Sequence, residues 1–460
     1  MALRLGLGLG LSGGVSFSPL SLFAASEPGF WFDPSDLTTL FQDAAGTTPV
    51  TAAGQSVGLV LDKSGRGNHA TQSTSLSRPT LGRNPVGGTR NLLTYTEQFD
   101  NAAWSKVRAT VAANAITAPD GTGTADQLAG TAVAGTHCAI QIITKAASAL
   151  IYSALVYVKQ AQLTKGELRF SDQAGNGVRC TFDLAAGTVA TAVAYGTGFT
   201  VGASAITALP NGWYRVSLSG TTNTATTLGH EVYLADASGN VSYTGDGTSG
   251  IFVWGAQLET GSTATAYQKV VSAFDVTEAG KADYWYLGFD GSDDFLVTPT
   301  ITPGTDKVQV FAGVTKLSDA ARRTVVELTA STATNNGSFH LAAPNAASAT
   351  IAFESKGTAL TDAIASSGVT APVTAVVTGI ADIGADTNII RINGAQADSD
   401  GGDQGTGNFT AAAVYIGRRG GTSQPLNGRI YSLICRFGPN LTADQIAQTE
   451  AWVNARTGAY

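Results

Sequence analysis

Two groups of aspartates are the clearest candidates for chemistry in this sequence, because carboxylate oxygens in Gly-rich loops are ligands that suit Ca²⁺. The first group follows an apolar stretch, and the second lies among Ser and Gly residues. The two groups are Asp290, Asp293 and Asp294, and Asp398, Asp400 and Asp403. Neither has the spacing or the closing Glu of an EF-hand, so solvated turns are the favoured interpretation and a Ca²⁺ site is the alternative. No cofactor is predicted to be required.

Five aromatic residues in the middle of the chain are placed to pack against the C–H-rich face of a sugar ring. They are Trp104, Tyr195, Trp213, Tyr214 and Trp254. A large aromatic inside a strand pattern is more often buried than exposed, which favours a core position for Trp213 and Trp254. Trp104 follows a polar loop, which is more compatible with exposure and sugar contact than a position inside a strand. We predict these five residues as candidate carbohydrate contacts.

Composition and charge exclude several classes of function. The net charge is −7, and Lys and Arg never occur in blocks longer than two, so the basic stripe that neutralises a phosphate backbone is missing. The sequence has no run of about 18 to 20 apolar residues, the length that a membrane span needs. Three cysteines are an odd number in a chain of 460 residues, which predicts buried thiols rather than a disulfide framework. Nucleic-acid binding and membrane insertion are therefore not expected.

The elements that must position these residues are β-strands. The chain has 55 Gly, only 13% charged residues, and short segments in which apolar and polar residues alternate. Examples are segments 152–159, 167–170, 212–218 and 231–234. Period-two alternation separated by Gly, Asn and Asp turns is typical of antiparallel sandwiches with one solvated face. A chain of 460 residues is also long enough for two or three domains.

The segments F-W-F-D-P-S-D (30–36) and D-K-S-G-R-G-N-H-A (62–70) resemble the opening strands of concanavalin A-like, laminin-G-like sandwich domains. Domains of this family occur on the surface fibres of tailed bacteriophages and of phage-derived gene transfer agents. In the family, these phrases are followed shortly by a strand reading Y-L-x-F-D-G-x-D-D. Here the matching phrase, Y-L-G-F-D-G-S-D-D-F (286–295), comes about two hundred residues later. The resemblance therefore implies that a second domain is inserted into the first.

A second pair of phrases marks the ends of the insertion. Segments 91–104 and 251–267 are similar to those bounding the carbohydrate-binding-module-like jelly rolls that recur in phage tail and fibre proteins. The predicted fold class is all-β, with two antiparallel β-sandwich domains of jelly-roll, lectin-like type, one inserted in the other, plus a C-terminal helix. The predicted domains are an N-terminal anchoring peptide (1–26), a discontinuous concanavalin A/laminin-G-like sandwich (27–85 and 280–460), and the inserted carbohydrate-binding-module-like jelly roll (86–279).

The two ends of the chain have patterns of their own. Leu and Gly alternate in residues 5–11, which favours an extended peptide that docks on another chain. A secretory signal is the alternative, but alternating Gly makes a poor helical apolar region. Residues 441–458 predict a helix, because Thr442 and Gln445 form a capping box and Gly458 is placed for the C-cap.

An enzymatic function is not expected. Glycosidases of the concanavalin A-like fold resemble one another in an E-x-D-x-x-E strand, which places a nucleophile and an acid on one face. None of the nine Glu residues here is followed by x-D, so the usual carboxylate pair is not supplied. The H-E-x-x-H zinc motif and phosphate-binding Gly/Lys loops are also absent from the sequence.

The resemblance implies a virion-surface structural protein: a fibre, head spike or tail-associated protein of an extracellular particle. We expect it to attach to other virion proteins through residues 1–26, to form a homo-oligomer, and to bind host-envelope polysaccharide through the inserted jelly roll. Two alternatives stay open. The sandwiches could serve only as spacers or decoration of a phage-like particle without glycan binding, or, as a less favoured option, they could belong to a polysaccharide-degrading enzyme.

Overall fold

The computed structural model describes residues 17–460, which form two compact units. Residues 17–82 and 284–460 make up one unit, here called the split unit. Residues 83–283 make up the other, here called the inserted unit. Most of the predicted anchoring peptide, residues 1–16, lies outside the described residues.

The elements between residues 17 and 460 are almost entirely strands. The first are β1 (Gly29–Phe32), β2 (Leu40–Phe41), β3 (Leu59–Val60), β4 (Ala70–Thr71) and β5 (Thr80–Pro85). Next come β6 (Ser105–Val107), β7 (Ala109–Ile116), β8 (Ala125–Gly130), β9 (Ala134–Thr136), β10 (Cys138–Thr144), β11 (Ile151–Gln160), β12 (Lys165–Ser171), β13 (Gly177–Asp183), β14 (Thr188–Val189), β15 (Val193–Tyr195), β16 (Thr200–Ala208), β17 (Trp213–Thr221), β18 (Thr227–Ala235), β19 (Ser242–Thr244), β20 (Gly250–Thr260), β21 (Gln268–Ser272) and β22 (Asp275–Glu278). The last are β23 (Asp283–Asp290), β24 (Leu296–Val297), β25 (Lys307–Lys316), β26 (Thr324–Leu328), β27 (Ser338–Ala342), β28 (Ile351–Lys356), β29 (Leu360–Ala365), β30 (Val373–Asp382), β31 (Thr387–Ile392), β32 (Ala395–Asp400), β33 (Val414–Ile416) and β34 (Asn427–Phe437).

The described residues contain a single α-helix, α1 (Ala443–Thr457), as predicted. Its N-cap Thr442 and Gln445 form the expected capping box, and Gly458 ends the helix in the left-handed conformation. Short 3-10 turns complete the elements at Pro19–Phe23, Leu37–Thr39, Ser75–Ser77, Pro210–Gly212 and Ile383–Ala385. No helix within residues 17–460 has the length and apolar character needed to cross a membrane.

The split unit is a sandwich of two sheets. One, here called the β34 sheet, has the order β5-β23-β34-β25-β30-β31-β32, with β1 also paired to β34. The other, here called the β33 sheet, has the order β2-β3-β4-β24-β33-β26-β27-β28-β29. Their facing sides share one apolar core, to which Val310 and Leu433 contribute from the first sheet and Phe339 and Leu341 from the second.

The early and late parts of the sequence meet on strand β34. Trp31 of β1 lies opposite Ile434, and Phe289 of β23 lies opposite Gly428. Both ladders are antiparallel, so the two ends of the interrupted sandwich belong to one sheet. The predicted fold class, an all-β chain of two antiparallel sandwiches with one inserted in the other and a C-terminal helix, is confirmed.

The inserted unit is also a two-sheet sandwich. One, here called the β12 sheet, has the order β14-β13-β12-β18-β10-β6, with β15 also paired to β13. The other, here called the β11 sheet, has the order β16-β17-β11-β20-β8-β7. Alternate residues of each sheet, such as Leu168 and Phe170 on β12 and Ala154 and Val156 on β11, enter one buried core. The other alternate residues form the outer faces, where the candidate sites lie.

The ends of the inserted unit are tied to each other. Leu92 donates its backbone N–H to Leu258 (2.8 Å), and Thr96 donates its N–H to Val270 (3.0 Å). The Asn91 side-chain amide also donates to the carbonyl of Gln268 at 2.9 Å. Because the first and last segments of the unit lie together, its insertion leaves the strands of the split unit able to pair across the gap.

Candidate functional site

A groove crosses the outer face of the β12 sheet in the inserted unit. It consists of two adjoining cavities of about 510 Å³ and 380 Å³, which share Thr181, Ala190 and Gly239. Strands β12 and β13 form the floor, and segments 188–193 and 238–242 supply residues on its sides. The floor spans Arg179 to Asp183 along β13, which corresponds to about 13 Å of extended strand.

Strand alternation explains why the floor of the groove is charged. On β12, Leu168 and Phe170 are buried in the core, so Lys165, Glu167 and Arg169 emerge on the outer face. On β13, the core residues are Val178, Cys180 and Phe182, which turns Arg179, Thr181 and Asp183 outward. The sequence of β12 therefore has three outward charges at alternate positions, and this pattern is the sequence signal for a charged outer face.

Each charge on the groove floor has a partner of opposite sign. The Glu167 carboxylate accepts a hydrogen bond from Nε of Arg169 and lies 3.7 Å from Nη1 of Arg179. Lys165 Nζ lies 3.5 Å from Oδ2 of Asp183. Burial lowers the pKa of Arg169, but the neighbouring Glu167 raises it above its usual value overall. The floor is thus a row of charged donors and acceptors whose charges are compensated locally.

Two tyrosines flank the Arg169 guanidinium. Its central carbon lies 4.0 Å from the ring centre of Tyr233 and 5.6 Å from that of Tyr195. Arg179 also lies 5.6 Å from the Tyr195 ring centre. Burial raises the pKa of Tyr195, and the charge of nearby Glu231 adds to that effect. Tyr195 is therefore a neutral phenol whose ring packs against guanidinium groups at the edge of the groove.

The next strand extends the polar surface. Glu231 of β18 lies opposite Arg169 in the ladder, and its carboxylate accepts hydrogen bonds from the Ser171 hydroxyl and, at 2.7 Å, from the Gln173 amide. Arg179, Arg169 and Glu231 therefore stand side by side across three strands. With the neighbouring Glu167, these residues place two guanidinium donors and two carboxylate acceptors together, and their charges cancel.

Three of the five aromatic residues predicted to contact sugar are core residues. Trp104 is 1% exposed and stacks on Phe99 with ring centres 4.4 Å apart. Its position after a polar loop does not expose it, because the turn at Asn101 folds the indole inward and its Nε1 donates to the Tyr95 carbonyl at 3.0 Å. The expectation that Trp104 is open to a ligand is therefore corrected.

Trp213 and Trp254 occupy a smaller apolar cluster on the outer face of the β11 sheet. Their indole N–H groups donate to the carbonyl of Thr117 (3.2 Å) and the hydroxyl of Thr124 (2.9 Å), so the loop between β7 and β8 covers them. Tyr214 is half-buried and packs against the main core. Of the five predicted residues, the structure brings Tyr195 next to the groove. The charged floor and Tyr233 were not among the residues predicted to bind.

The first aspartate group converges. One carboxylate oxygen each from Asp290, Asp293 and Asp294 lies within 4.8 Å of the others. The carboxylates also hold the turn: Asp293 accepts from the Ser77 hydroxyl at 2.7 Å, and Asp294 accepts from the backbone N–H of Asp290 at 3.0 Å. A turn held by its own side chains is the interpretation the sequence favoured. The Ca²⁺ alternative stays a prediction.

The aspartates of the second group point to separate backbone partners. Asp398 accepts from the N–H of Ile364 (2.8 Å), Asp400 from the N–H of Asp362 (3.1 Å), and Asp403 from the N–H of Gly405 (2.7 Å). Asp398 and Asp400 thereby satisfy the free edge of β29, which lacks a neighbouring strand. In residues 17–460 these three carboxylates do not form a cluster at metal-ligand distances. The favoured interpretation, side chains that serve turns and backbone, agrees with these bonds, and the alternative of a Ca²⁺ site shared by these three residues is corrected.

Asp294 predicts a measurable dependence of stability on pH. Burial, aided by the charges of Asp290 and Asp293, raises the pKa of Asp294 from 3.8 to about 7. The folded state then binds more protons than the unfolded state between these values, so its contribution to stability is full below pH 3.8 and is lost as pH rises through 7. We expect Asp294→Asn, which keeps the oxygen that accepts from Asp290, to stabilise the protein at pH 8 by about 2 kcal/mol.

Urea unfolding of the wild type and Asp294→Asn from pH 4 to pH 8 tests this expectation. The difference between the two should grow as pH rises. Asp403→Asn removes an exposed turn carboxylate in the same unit and should leave the pH slope unchanged. Parallel pH profiles for the wild type and Asp294→Asn would contradict the raised pKa.

Two buried glutamates lie on the outer face of the β33 sheet. Glu327 accepts from Nε of Arg419 (2.9 Å), and Glu354 accepts from Arg322 and lies 3.1 Å from Nδ1 of His340. Burial acts to raise the pKa of Glu354, but the hydrogen bond with His340 and the charge of Arg322 lower it to about 2. A glycosidase acid needs the opposite shift, so this carboxylate does not provide a proton near neutral pH.

Several solved structures are similar to about a third of this chain at low identity. The sequence matches no family model and no curated protein. The carbohydrate-binding module of the Ruminococcus gnavus IT-sialidase, solved with α2,3-sialyllactose, is 17% identical, and the match covers 32% of this chain and 83% of that chain with a TM-score of 0.27. The receptor-binding domain of botulinum neurotoxin type G is 11% identical, with 36% and 42% covered and a TM-score of 0.28. A heptameric pentraxin from Limulus polyphemus is 12% identical, with 35% and 78% covered and a TM-score of 0.28.

Proposed function

We propose that this protein binds a polysaccharide through the groove of the inserted unit. The observation that supports this proposal is the compensated row of charged side chains on the groove floor, Lys165–Asp183 and Glu167–Arg179, beside the Tyr195 ring. Sugar hydroxyls both donate and accept hydrogen bonds, and such paired side chains match both roles. A neutral chain of sugars meets no uncompensated charge there.

The shape of the groove favours a chain over a single sugar. Its two cavities adjoin along the direction of strands β12 and β13. Ligand sites usually combine apolar walls with a few oriented polar groups. Here Val193 and Ala190 supply apolar surface beside the charged floor. An internal stretch of a linear polysaccharide fits an open trough of this kind better than a closed pocket would.

We further propose that the protein is a structural component on the surface of a phage-like particle, acting as a fibre, spike or tail-associated protein that attaches to a host envelope. This part of the proposal rests on the resemblance of segments 30–36, 62–70 and 286–295 to laminin-G-like fibre domains. Attachment to other virion proteins through residues 1–26, assembly into a homo-oligomer and the absence of catalysis belong to the same proposal. A spacer without glycan binding is the alternative that the next experiment addresses.

Affinity electrophoresis of the full chain through gels that contain bacterial envelope polysaccharides tests the binding proposal. We expect at least one polysaccharide to retard the wild type. Arg179→Gln removes one guanidinium from the floor and should weaken that retardation by about tenfold or more. Lys281→Gln changes the charge by the same amount at an exposed site that lines neither cavity, and it should bind as the wild type does.

Two results would count against the groove. Unaltered retardation of Arg179→Gln would place the contact elsewhere in the chain. Migration of the wild type unchanged by every envelope polysaccharide tried would favour the spacer function.

A further inference from the structure

A third cavity lies on the outer face of the β11 sheet of the inserted unit, which is the sheet that does not carry the groove. Its volume is about 210 Å³, and its lining comes from β11, β16, β17 and the turn at 262–264. Most of the polar groups in the lining are hydroxyls. They belong to Ser153, Ser204, Ser217, Ser219, Ser262 and Thr263.

Arg215 contributes the charge of this cavity. Its Nη2 donates to the carbonyls of Ala264 (2.9 Å) and Thr265 (3.0 Å), which holds the guanidinium against the turn. Among the ion pairs found in residues 17–460, none includes Arg215. This guanidinium therefore differs from those of the groove floor, whose charges are compensated.

The neighbouring titratable groups leave that positive charge in place. Tyr157 lies opposite Arg215 in the ladder, and burial raises its pKa although the charge of Arg215 partly offsets this, so the phenol is neutral. Glu259 lies opposite Ser153 on β20. Its carboxylate already accepts from the backbone N–H of Thr265 (2.6 Å) and lies 3.8 Å from Nε of Arg90.

One of the cavity hydroxyls has no partner within the described residues. Ser153 is 1% exposed, and its Oγ makes no hydrogen bond there. Buried hydroxyls are normally satisfied, so an orphan that borders a cavity marks a place where a polar ligand group would be favourable. Ser219 is engaged by contrast, since its Oγ accepts from the N–H of Ala203 at 3.0 Å.

We propose that this cavity is a binding subsite for an oxyanion, namely a carboxylate, sulfate or phosphate group. A guanidinium offers several N–H donors in one plane, and hydroxyls beside it add neutral donors to the remaining oxygens of the anion. A volume of about 210 Å³ holds such a group with several waters, each of which takes about 30 Å³. The subsite is separate from the proposed polysaccharide groove and does not depend on it.

Isothermal titration of the full chain with sodium acetate, sodium sulfate and sodium phosphate, at constant ionic strength in chloride, tests the proposal. We expect saturable heat with about one site per chain for at least one anion, at millimolar concentrations where general salt effects on stability are small. Arg215→Gln should weaken that binding by about tenfold. Lys281→Gln, the exposed control, should bind as the wild type does.

A cavity-filling variant and an acidic sugar extend the test. Arg215→Gln could weaken binding simply by loosening the turn at 262–264, so a second variant is needed. Ser217→Leu keeps Arg215 and fills the cavity from its floor, and it should abolish the heat of anion binding. Sodium glucuronate compared with glucose separates an acidic sugar from a free inorganic anion, because both sources share the oxyanion but glucose lacks it. Absence of saturable heat for every anion, or equal binding by the wild type, Arg215→Gln and Ser217→Leu, would overturn the proposal.

Discussion

Arg436→Met is expected to lower the free energy of unfolding of the split unit by about 3 to 5 kcal/mol, the usual cost of removing one partner of a buried ion pair. Arg436 is 4% exposed and lies on β34. Its Nε donates to the carbonyl of Leu22 (2.7 Å), and its Nη2 donates to the carboxylate of Glu27 (2.9 Å). Its Nη1 reaches Gln309 and the carbonyl of Pro439, each at 2.7 Å.

The reason for so large an effect is that one side chain satisfies groups from three places in the chain. Methionine matches the apolar stem of Arg436 but donates nothing, so the Glu27 carboxylate and two carbonyls lose their donors in a poorly solvated site. Residues 19–27 then keep the packing of Leu22 and Phe23 against Phe311 and Val453, together with one long hydrogen bond from Arg66 to the Phe23 carbonyl. Leu22 and Phe23 belong to the predicted anchoring peptide (1–26), yet they pack within the split unit.

Chemical unfolding followed by tryptophan fluorescence measures this effect, together with limited proteolysis of the first thirty residues. Arg66→Met is the matched control, because Arg66 is exposed and gives a single bond of 3.4 Å to the Phe23 carbonyl. It should change the unfolding free energy by less than about 0.5 kcal/mol. An unfolding midpoint for Arg436→Met equal to that of Arg66→Met would show that the contacts of Arg436 do not hold the segment.

Local pattern in the sequence was sufficient to predict the strands and the C-terminal helix. Period-two alternation predicts strands because successive side chains of a strand point to opposite faces, and alternate residues of β11, β12 and β13 enter the core of the inserted unit. The capping residues Thr442 and Gln445 act within four residues of each other, so α1 was also predictable. The separation of segments 62–70 and 286–295 predicted the insertion, because both segments resemble phrases that lie close together in laminin-G-like domains.

The candidate groove depends on contacts that no local pattern contains. Glu167 meets Arg179 because β12 pairs with β13, and the groove is bounded by segment 238–242, which lies about sixty residues away. Outward charges on a strand look the same in sequence whether they face open solvent or a groove. The partners of Asp398 and Asp400 were unpredictable for the same reason. These carboxylates accept from the backbone of Ile364 and Asp362, which belong to a strand of the opposite sheet.

Trp104 shows a different limit. The sequence places it after polar residues, which favours exposure, but polarity of a loop does not determine where the residue that follows it points. Asn101 accepts the backbone N–H of Ala103 through its side chain at 3.0 Å and that of Trp104 through its carbonyl at 3.1 Å. The polar residues therefore form the hydrogen bonds of the turn, and the geometry of the turn points the Trp104 indole into the core.

Asp62→Ala is expected to cost about 3 kcal/mol, because the Asp62 carboxylate organises a whole loop through charge-assisted bonds. Oδ1 accepts the backbone N–H of Trp31 (3.0 Å) and of Ser64 (2.8 Å). Oδ2 accepts the N–H of Asn68 (3.0 Å) and the Ser64 hydroxyl (2.8 Å). Asn68 in turn donates its side-chain amide to the carbonyl of Gly29 at 2.7 Å.

These bonds satisfy the side of β1 that faces away from β34, so removing the carboxylate should expose the edge of the strand that joins the two halves of the split unit. We expect hydrogen exchange to accelerate at the amides of Trp31, Ser64 and Asn68 in Asp62→Ala. Asp62→Asn keeps one acceptor oxygen and should lose about half as much stability. Ser64→Ala removes only the hydroxyl and serves as the control, with an expected cost of about 1 kcal/mol. The opposite result is an equal free energy of unfolding for Asp62→Ala and Ser64→Ala, with the β1 amides still protected from exchange. That result would show that the ladder to β34 alone fixes β1 and that the loop at 62–70 does not hold the interrupted sandwich closed.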